Sequence, residues 1–506
     1  MKNLLIIILV VLLGLSWVYF WICTRPTTIE EGEDRSSGQK DVIHVWVNEL
    51  VGSPDEVHYY ELADCWNATH PNLQVKMTVM SHAGYDSKLR IAIASGQPPD
   101  VCMGGLVTFE SLRYSGKTTD LAVPIPKEFL PQERIDAMGP VFKKFALRDG
   151  QPFIFPVYRY CYAGVLLTNR TMLQEAGFDD KEINQKGWTF EQFREACRKI
   201  TKDTNGDGTP DVWGFGAALV HFKHLFLYEF GPGVWGRDVT ERTLVGFDES
   251  TGRWARHPKL TEDQLYELFL LFYQLFNVDK TWNPSLLGMT IHEILDEVVT
   301  HRRLAMTFGE VPWAPKLRHD IWEMEISQGA KNKGELPDLT SIWMPTLHPG
   351  DRPAPRAGIL GFSILKQTPY KGDAHTRNAL RVALFLTHPA HLARSQFRMF
   401  RHLPPEPGRF GRIFPELIQV DDPWVKYYNE MLDSDVPFVP PPLSSDTPDP
   451  VGCQKTGIEL DRWIEKTGMD YLQQVVYEKM SPREAAKRFY EGIQEVCDKA
   501  YADMEG

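Results

Sequence analysis

Nine consecutive residues, Asp203-Thr204-Asn205-Gly206-Asp207-Gly208-Thr209-Pro210-Asp211, put side-chain oxygens at alternate positions, the spacing with which a loop wraps calcium. A full calcium loop ends on a bidentate glutamate at its twelfth position, and here that position is Gly214. Asp and Asn at this spacing also build a turn bonded to its own backbone. We prefer the turn and keep Asp203, Asn205, Asp207 and Asp211 as weak calcium candidates; no other metal and no cofactor is expected. The chain carries no GxSxG, no HExxH and no P-loop, so the common nucleophile, zinc and phosphate-cradle chemistries lack their local signatures. A pair of carboxylates about 5–10 Å apart would suffice for glycoside hydrolysis. Spacing in the chain does not reveal such a pair, and a carbohydrate-active enzyme stays open as an alternative.

Seven cysteines, at 23, 65, 102, 161, 197, 453 and 497, show neither CxxC nor zinc-site spacing, and an odd count excludes complete pairing within one chain. A Cys453–Cys497 disulfide is one reading; buried free thiols are the preferred one. A net charge of −12 repels phosphate backbones and argues against nucleic acid as a partner. Aromatics make up 12% of the 506 residues, 14 of them Trp. Most of these rings belong in a core, and a few can serve as flat platforms for a ligand with apolar faces, such as a sugar.

The elements that must position such residues alternate. An apolar run over 42–47 reads as a buried strand, and Ser53-Pro54-Asp55-Glu56 as a helix start. A helix to His70-Pro71, a strand over 73–80, a short helix before Ser95-Gly96-Gln97-Pro98-Pro99 and a strand from Asp100 complete the alternation of a parallel α/β sheet. A second set begins near 160. Val165-Leu166-Leu167 reads as a strand, and Thr189 with Gln192 forms a capping box, Trp188 stapling onto Phe193. Further helices are expected over 262–277 and 380–386, and from Ser481-Pro482-Arg483-Glu484 onward. The Pro- and Asp-rich segment 435–450 reads as a loop or strap. At this length two cores are expected, since a single core stops growing at about 250–300 residues.

Residues 4–22 are uncharged and apolar on every face, and at about 1.5 Å per residue they match the bilayer's hydrocarbon thickness. The stretch is long for a signal peptide and ends in Trp-Val-Tyr-Phe-Trp-Ile, an interfacial aromatic belt. Ala63 is the first alanine, so no A-x-A cleavage site precedes it. Phe20, Trp21 and Ile22 are too bulky for a lipobox ahead of Cys23. The expectation is a retained transmembrane anchor over 1–26, followed by a flexible linker over 27–40.

The ordered set of HPNLQVKM (70–77), YDSKLRIAIASGQPPDV (85–101), TNRTMLQEAGF (168–178), GWTFEQFREACRKITKDTNGDGTPDVWGF (187–215), HRRLAMTFGEVPW (301–313), AGILGFSILKQ (357–367) and ALFLTHPAH (383–391) resembles the family 1 extracellular solute-binding proteins, which include the maltose-binding proteins. The resemblance spans roughly 41–405. It implies a two-lobed α/β periplasmic-binding-protein-like fold with the ligand cleft between lobes, lobe I at 41–157 plus 340–395 and lobe II at 158–335 plus 398–506. It further implies a monomer outside the cytoplasmic membrane that binds a carbohydrate and delivers it to the permease subunits of an ABC importer. A tethered sensor for a membrane receptor is a further alternative.

Candidate ligand residues follow from strand ends and from the resemblance together. Trp46, Asn48 and Glu49 lie at the C-terminal end of the first strand, where α/β proteins place ligands. Gly104 and Gly105, after the third strand, allow close backbone approach. Trp313 matches a family position whose Trp stacks on sugar, and Gly361 with Phe362 matches a ligand-side loop. Arg159 and Tyr160 sit at the expected first crossing between lobes, Trp235 in an aromatic-rich stretch, and His402 in a segment resembling the last cleft-side one.

Overall fold

The computed structural model describes residues 40–49, 54–105, 121–138, 146–148, 150–161, 164–218, 225–234, 245–248, 253–258, 260–289, 291–308, 325–329, 337–351, 357–393, 414, 456–457, 459–460 and 462–505. The expected anchor (4–22), the linker up to residue 39 and the 435–450 segment lie outside them. Among the described residues no helix is long and apolar enough to cross a membrane.

In chain order the first half runs β1 (Asp41–Asn48), α1 (Pro54–Thr69), β2 (Leu73–Met80), α2 (His82–Ala94), β3 (Val101–Gly105), β4 (Phe155–Cys161), β5 (Val165–Asn169), α3 (Arg170–Glu175), α4 (Asp180–Lys186), α5 (Phe190–Ile200) and β6 (Trp213–Phe215). The second half adds α6 (Glu262–Tyr273), α7 (Ile291–Val299), β7 (Leu304–Phe308), β8 (Leu339–Trp343), β9 (Ala357–Ile364), α8 (Asp373–Leu386), α9 (Pro389–Leu392), α10 (Met469–Val476) and α11 (Pro482–Glu505).

Two sheets organise these elements. The first has the order β2-β1-β3-β9-β4, with β1 parallel to β2 and β3, and β9 antiparallel to β3 and β4. The alternation of the first hundred residues thus gives the parallel half, and a strand from some 250 residues later adds an antiparallel half. The second sheet has the order β8-β5-β7-β6. Each sheet has its own core. Ile43, Val45 and Val47 alternate inward along β1 and are fully buried, and α1 and α8 cover that sheet. The second core is aromatic: Phe193, Phe215, Phe230, Phe272 and Trp282 meet with ring centroids 4.8–5.8 Å apart, largely edge-on.

Local signals land where physical chemistry puts them. Thr189 accepts from the Gln192 N–H and Gln192 reaches back to the Thr189 N–H, while the Trp188 and Phe193 rings meet edge-on at 5.5 Å. At the last helix Ser481 accepts from the Glu484 N–H, but the Glu484 carboxylate turns to Arg488 and leaves the box half made. Cys497 is a buried free thiol, and burial pushes it up to about 12.

The lobe boundaries differ from the expectation in two places. β4 reaches Cys161 within the first sheet, four residues past the expected end of lobe I. β8, expected in lobe I, pairs with β5 in the second sheet, so the return crossing follows Trp343. In both places the pairing runs to the end of the strand, Cys161 opposite Ala357 and Trp343 opposite Val165.

Candidate functional site

The end of β1 is built by its neighbours. Asn48 pairs with Met80 of β2, and the Glu49 N–H donates to the Met80 carbonyl at 3.0 Å, so the strand's hydrogen bonding runs through to Glu49. Tyr85 of α2 donates its hydroxyl to the Trp46 carbonyl at 3.3 Å and fixes this end from behind. Trp46 and Asn48 share the face opposite Val45 and Val47 and are half-buried, whereas Glu49 is buried. The Oδ1 of Asn48 is buried and accepts no hydrogen bond among the described residues. A buried amide oxygen without a donor carries a desolvation cost of about 1–3 kcal/mol, which a donor supplied by a ligand would relieve. Asn48, Glu49 and Trp46 thus gather an acceptor, a carboxylate and an indole at one strand end.

Gly104 and Gly361 face each other across β3 and β9. The glycine at 361 has a packing reason: a Cβ there would come within 2.3 Å of the Ile154 side chain and 2.4 Å of the Phe155 carbonyl oxygen. Phe362 is fully buried in the first core, edge-on to Tyr59 at 6.2 Å, so its ring is a core ring and does not line a cleft. Gly105 closes β3 opposite Leu360. The backbones of Arg159 and Tyr160 pair with Ile359 and Gly358 on the outer strand of the same sheet. Trp235, Trp313 and His402 lie outside the described residues.

The described crossings between the sheets meet at Gly164, just before β5. Its carbonyl accepts from the Met344 N–H at 2.9 Å, and its N–H donates to Glu229 Oε2 at 3.0 Å. The return crossing is held by the Trp188 indole N–H on the Trp343 carbonyl at 2.7 Å and by the Leu347 N–H on the Gly233 carbonyl at 2.7 Å. Glu229, fully buried, was missed from sequence. An acidic residue inside the apolar run Leu225-Phe226-Leu227-Tyr228-Glu229-Phe230 was the available signal, because such a charge is buried only when something holds it.

In the 203–211 loop the candidate calcium oxygens are turned onto the loop itself. Asp203 accepts from the N–H groups of Gly206 and Gly208, Asn205 from Asp207, Asp207 from Thr209, and Asp211 from the N–H and hydroxyl of Thr204. Among the described residues no group of three or more His, Cys, Asp or Glu is arranged to hold a metal ion. Gly214, where a calcium loop needs its glutamate, is glycine for space: a Cβ would sit 2.4 Å from the Cys197 Cα.

At the opposite end of β1, His375 bridges Asp41 and Asp100 at 2.7 Å each, and Asp100 also accepts from Lys371 and the His44 N–H. Burial works against the charged imidazole, but the two carboxylates outweigh it and raise His375 above its ordinary value. Burial likewise works against the Asp100 carboxylate, and its three hydrogen bonds hold it below the ordinary range.

Two α/β lobes joined by crossings that meet at Gly164 make a two-lobed, periplasmic-binding-protein-like fold. Residues 54–285 match the family model described as bacterial extracellular solute-binding protein. The fold is shared with the maltose/maltodextrin-binding domain of Bdellovibrio bacteriovorus bound to maltotriose, at a TM-score of 0.60 and 18% identity over 91% of this chain and 100% of that one. It is shared equally with an ABC substrate-binding protein of Listeria monocytogenes in complex with cycloalternan (0.60, 15%, 90% and 99%). The sugar-binding protein of Xanthomonas citri aligns likewise (0.61, 16%, 92% and 99%). No curated protein matches the chain. Over residues 54–285 the chain is thus similar to the bacterial extracellular solute-binding proteins, and it shares the two-lobed α/β fold of the solved structures over about nine-tenths of its length.

Proposed function

We propose that the protein captures a carbohydrate, an oligosaccharide in our reading, between its lobes and hands it to the permease subunits of an ABC importer. It acts as a monomeric binding protein and not as an enzyme, held at the outer face of the cytoplasmic membrane by residues 4–22. The observation that carries the reading is the buried Asn48 Oδ1, which accepts no hydrogen bond among the described residues, beside Glu49 and Trp46 at the end of β1, in a chain whose structural neighbours were solved with sugars bound. Trp46 and Trp313 supply apolar faces, Asn48 and Glu49 take hydroxyl donors, and Arg159 donates in a fork. Gly104 and Gly105 bring backbone close, with Tyr160, Trp235 and His402 completing the lining. Rotation about Gly164 brings the two halves together, and the closed form is what an importer distinguishes from the open one.

The test is calorimetric titration of the full chain, in a detergent without a sugar headgroup, with linear and cyclic neutral oligosaccharides. Chromatography of the sugar afterwards reports turnover. Saturable binding with the sugar recovered intact, lost in Trp313→Ala, is the expected result. No heat from any oligosaccharide overturns the carbohydrate assignment, and cleavage of the sugar overturns the importer role.

A further inference from the structure

A cavity of about 310 Å³ opens at the edge of the second sheet, lined among others by Asp211, Trp213, Ser285, Met289, Glu297 and Arg303. Its place in the fold separates it from the cleft between lobes. β6 and β7 are parallel, with Leu304 opposite Trp213 and Met306 opposite Phe215, and the cavity sits where both strands begin. Ligands of α/β lobes gather where strands end, and the cavity lies at the other end of β6 and β7. The cavity is therefore at the end of lobe II away from the proposed cleft.

Its walls are rigid. The backbone N–H of Trp213 donates to the Arg303 carbonyl at 2.8 Å, and the Trp213 side chain packs in part on the Leu286, Val298 and Leu304 cluster. Asn283 caps the short helical turn at Pro284–Gly288 by accepting from the Ser285 N–H. Glu297 of α7 is buried and takes both Nε and Nη2 of Arg303, at 2.8 and 2.6 Å. That pairing leaves Arg303 Nη1 out of the fork. Each oxygen of Asp211 accepts one hydrogen bond from Thr204, at 2.9 and 2.6 Å, and keeps a further lone pair.

The chemistry selects its occupant. Asp211 accepts hydrogen bonds and Arg303 Nη1 donates them, which suits neighbouring hydroxyls because each both donates and accepts. Trp213 and Met289 give an apolar wall for the C–H face of a ring. Two carboxylates against one guanidinium leave the lining at −1, which turns away phosphates and carboxylates. The volume lies at the lower end of the roughly 300–1,000 Å³ range of ligand pockets and fits one ring better than a chain of them.

We propose that this cavity is a second carbohydrate-binding site, for a single neutral sugar ring or cyclic polyol, on the flank of lobe II. It stands whether or not the cleft binds sugar.

The experiment uses the full chain labelled with fluorotryptophan, in a detergent without a sugar headgroup, and reads the fluorine NMR signal of Trp213, assigned by its loss in Trp213→Phe. Glucose, mannose, xylose and inositol are titrated, with glucose 6-phosphate as the anionic arm. A saturable, millimolar shift of the Trp213 signal with a neutral ring is expected, unchanged in Trp313→Ala. Ser285→Tyr places a ring over the mouth at an exposed position and leaves the fold intact, and it weakens binding by about tenfold or more. Asp211→Asn weakens it by a similar factor. The proposal is overturned if the wild-type signal does not move, if Ser285→Tyr titrates like wild type, or if the phosphorylated sugar binds as well as the neutral one. Loss of cleft binding alone, with the Trp213 shift kept, refutes the cleft reading and not this one.

Discussion

His391→Gln should make lobe I more resistant to acid. His391 is 6% exposed, with its Nδ1 at 2.8 Å from the Phe385 carbonyl and its ring edge-on to Phe385 at 4.4 Å. A carbonyl only accepts, so Nδ1 carries the proton and Nε2 is left as the buried basic nitrogen. Burial, reinforced by the positive charge of neighbouring His388 and His58, pushes this imidazole from 6.5 to about 4. The sign follows from linkage. Above 6.5 the ring is neutral in both folded and unfolded chains and contributes nothing. Below 6.5 the unfolded chain binds a proton that the folded one refuses, so stability falls as the pH drops toward 4. At about pH 5 the difference amounts to roughly 2 kcal/mol. His375 runs the other way: its raised pKa gives stability that is present below 6.5 and lost as pH rises through its folded value. Comparing wild type with His391→Gln cancels that contribution. The assay is hydrogen exchange of peptides from α8 and α1 at about pH 7.5 and about pH 5, corrected for the intrinsic rate. Wild type should lose about 2 kcal/mol more protection than the variant between the two conditions. Equal losses would refute the argument that burial keeps His391 neutral.

Two further perturbations test the crossing and the far end of lobe I. Glu229→Ala removes the acceptor of the buried Gly164 N–H and should cost about 1–3 kcal/mol in lobe II exchange protection. Glu229→Gln keeps an acceptor and should recover most of the loss; small-angle scattering should show a broader spread of shapes for the alanine variant only. His375→Ala strips the shared donor from Asp41 and Asp100 and should lower stability by on the order of 3 kcal/mol. By the sign given above, that deficit should be larger in calorimetry at mildly acidic pH than at alkaline pH.

What the sequence determines by itself is local. The alternation of Ile43, Val45 and Val47, the Thr189–Gln192 box with its Trp188 staple, and the strand at 73–80 need only neighbours a few residues away, and they appear where their residue types dictate. The 203–211 turn is of the same kind, since each side chain bonds a backbone N–H within seven residues. The position of Asn48 and Glu49 at a strand end was legible for the same reason. Tertiary structure alone decided the rest. A Phe in a family ligand-side loop looks the same in the chain whether it faces a ligand or Tyr59, and only the packing of β9 on α1 sends Phe362 inward. Gly361 reads as room for a ligand until Ile154 and Phe155, some two hundred residues earlier, are seen to fill the space. β8 falls in lobe II because β5 offers it an unpaired edge. Glu229 and the Trp213 cavity depend on contacts 65 and about 90 residues apart in the chain, and residue spacing carries no record of such distances. Hydrogen bonds within a turn are encoded next to one another; the partner of a buried charge or the far wall of a cavity is chosen by the fold.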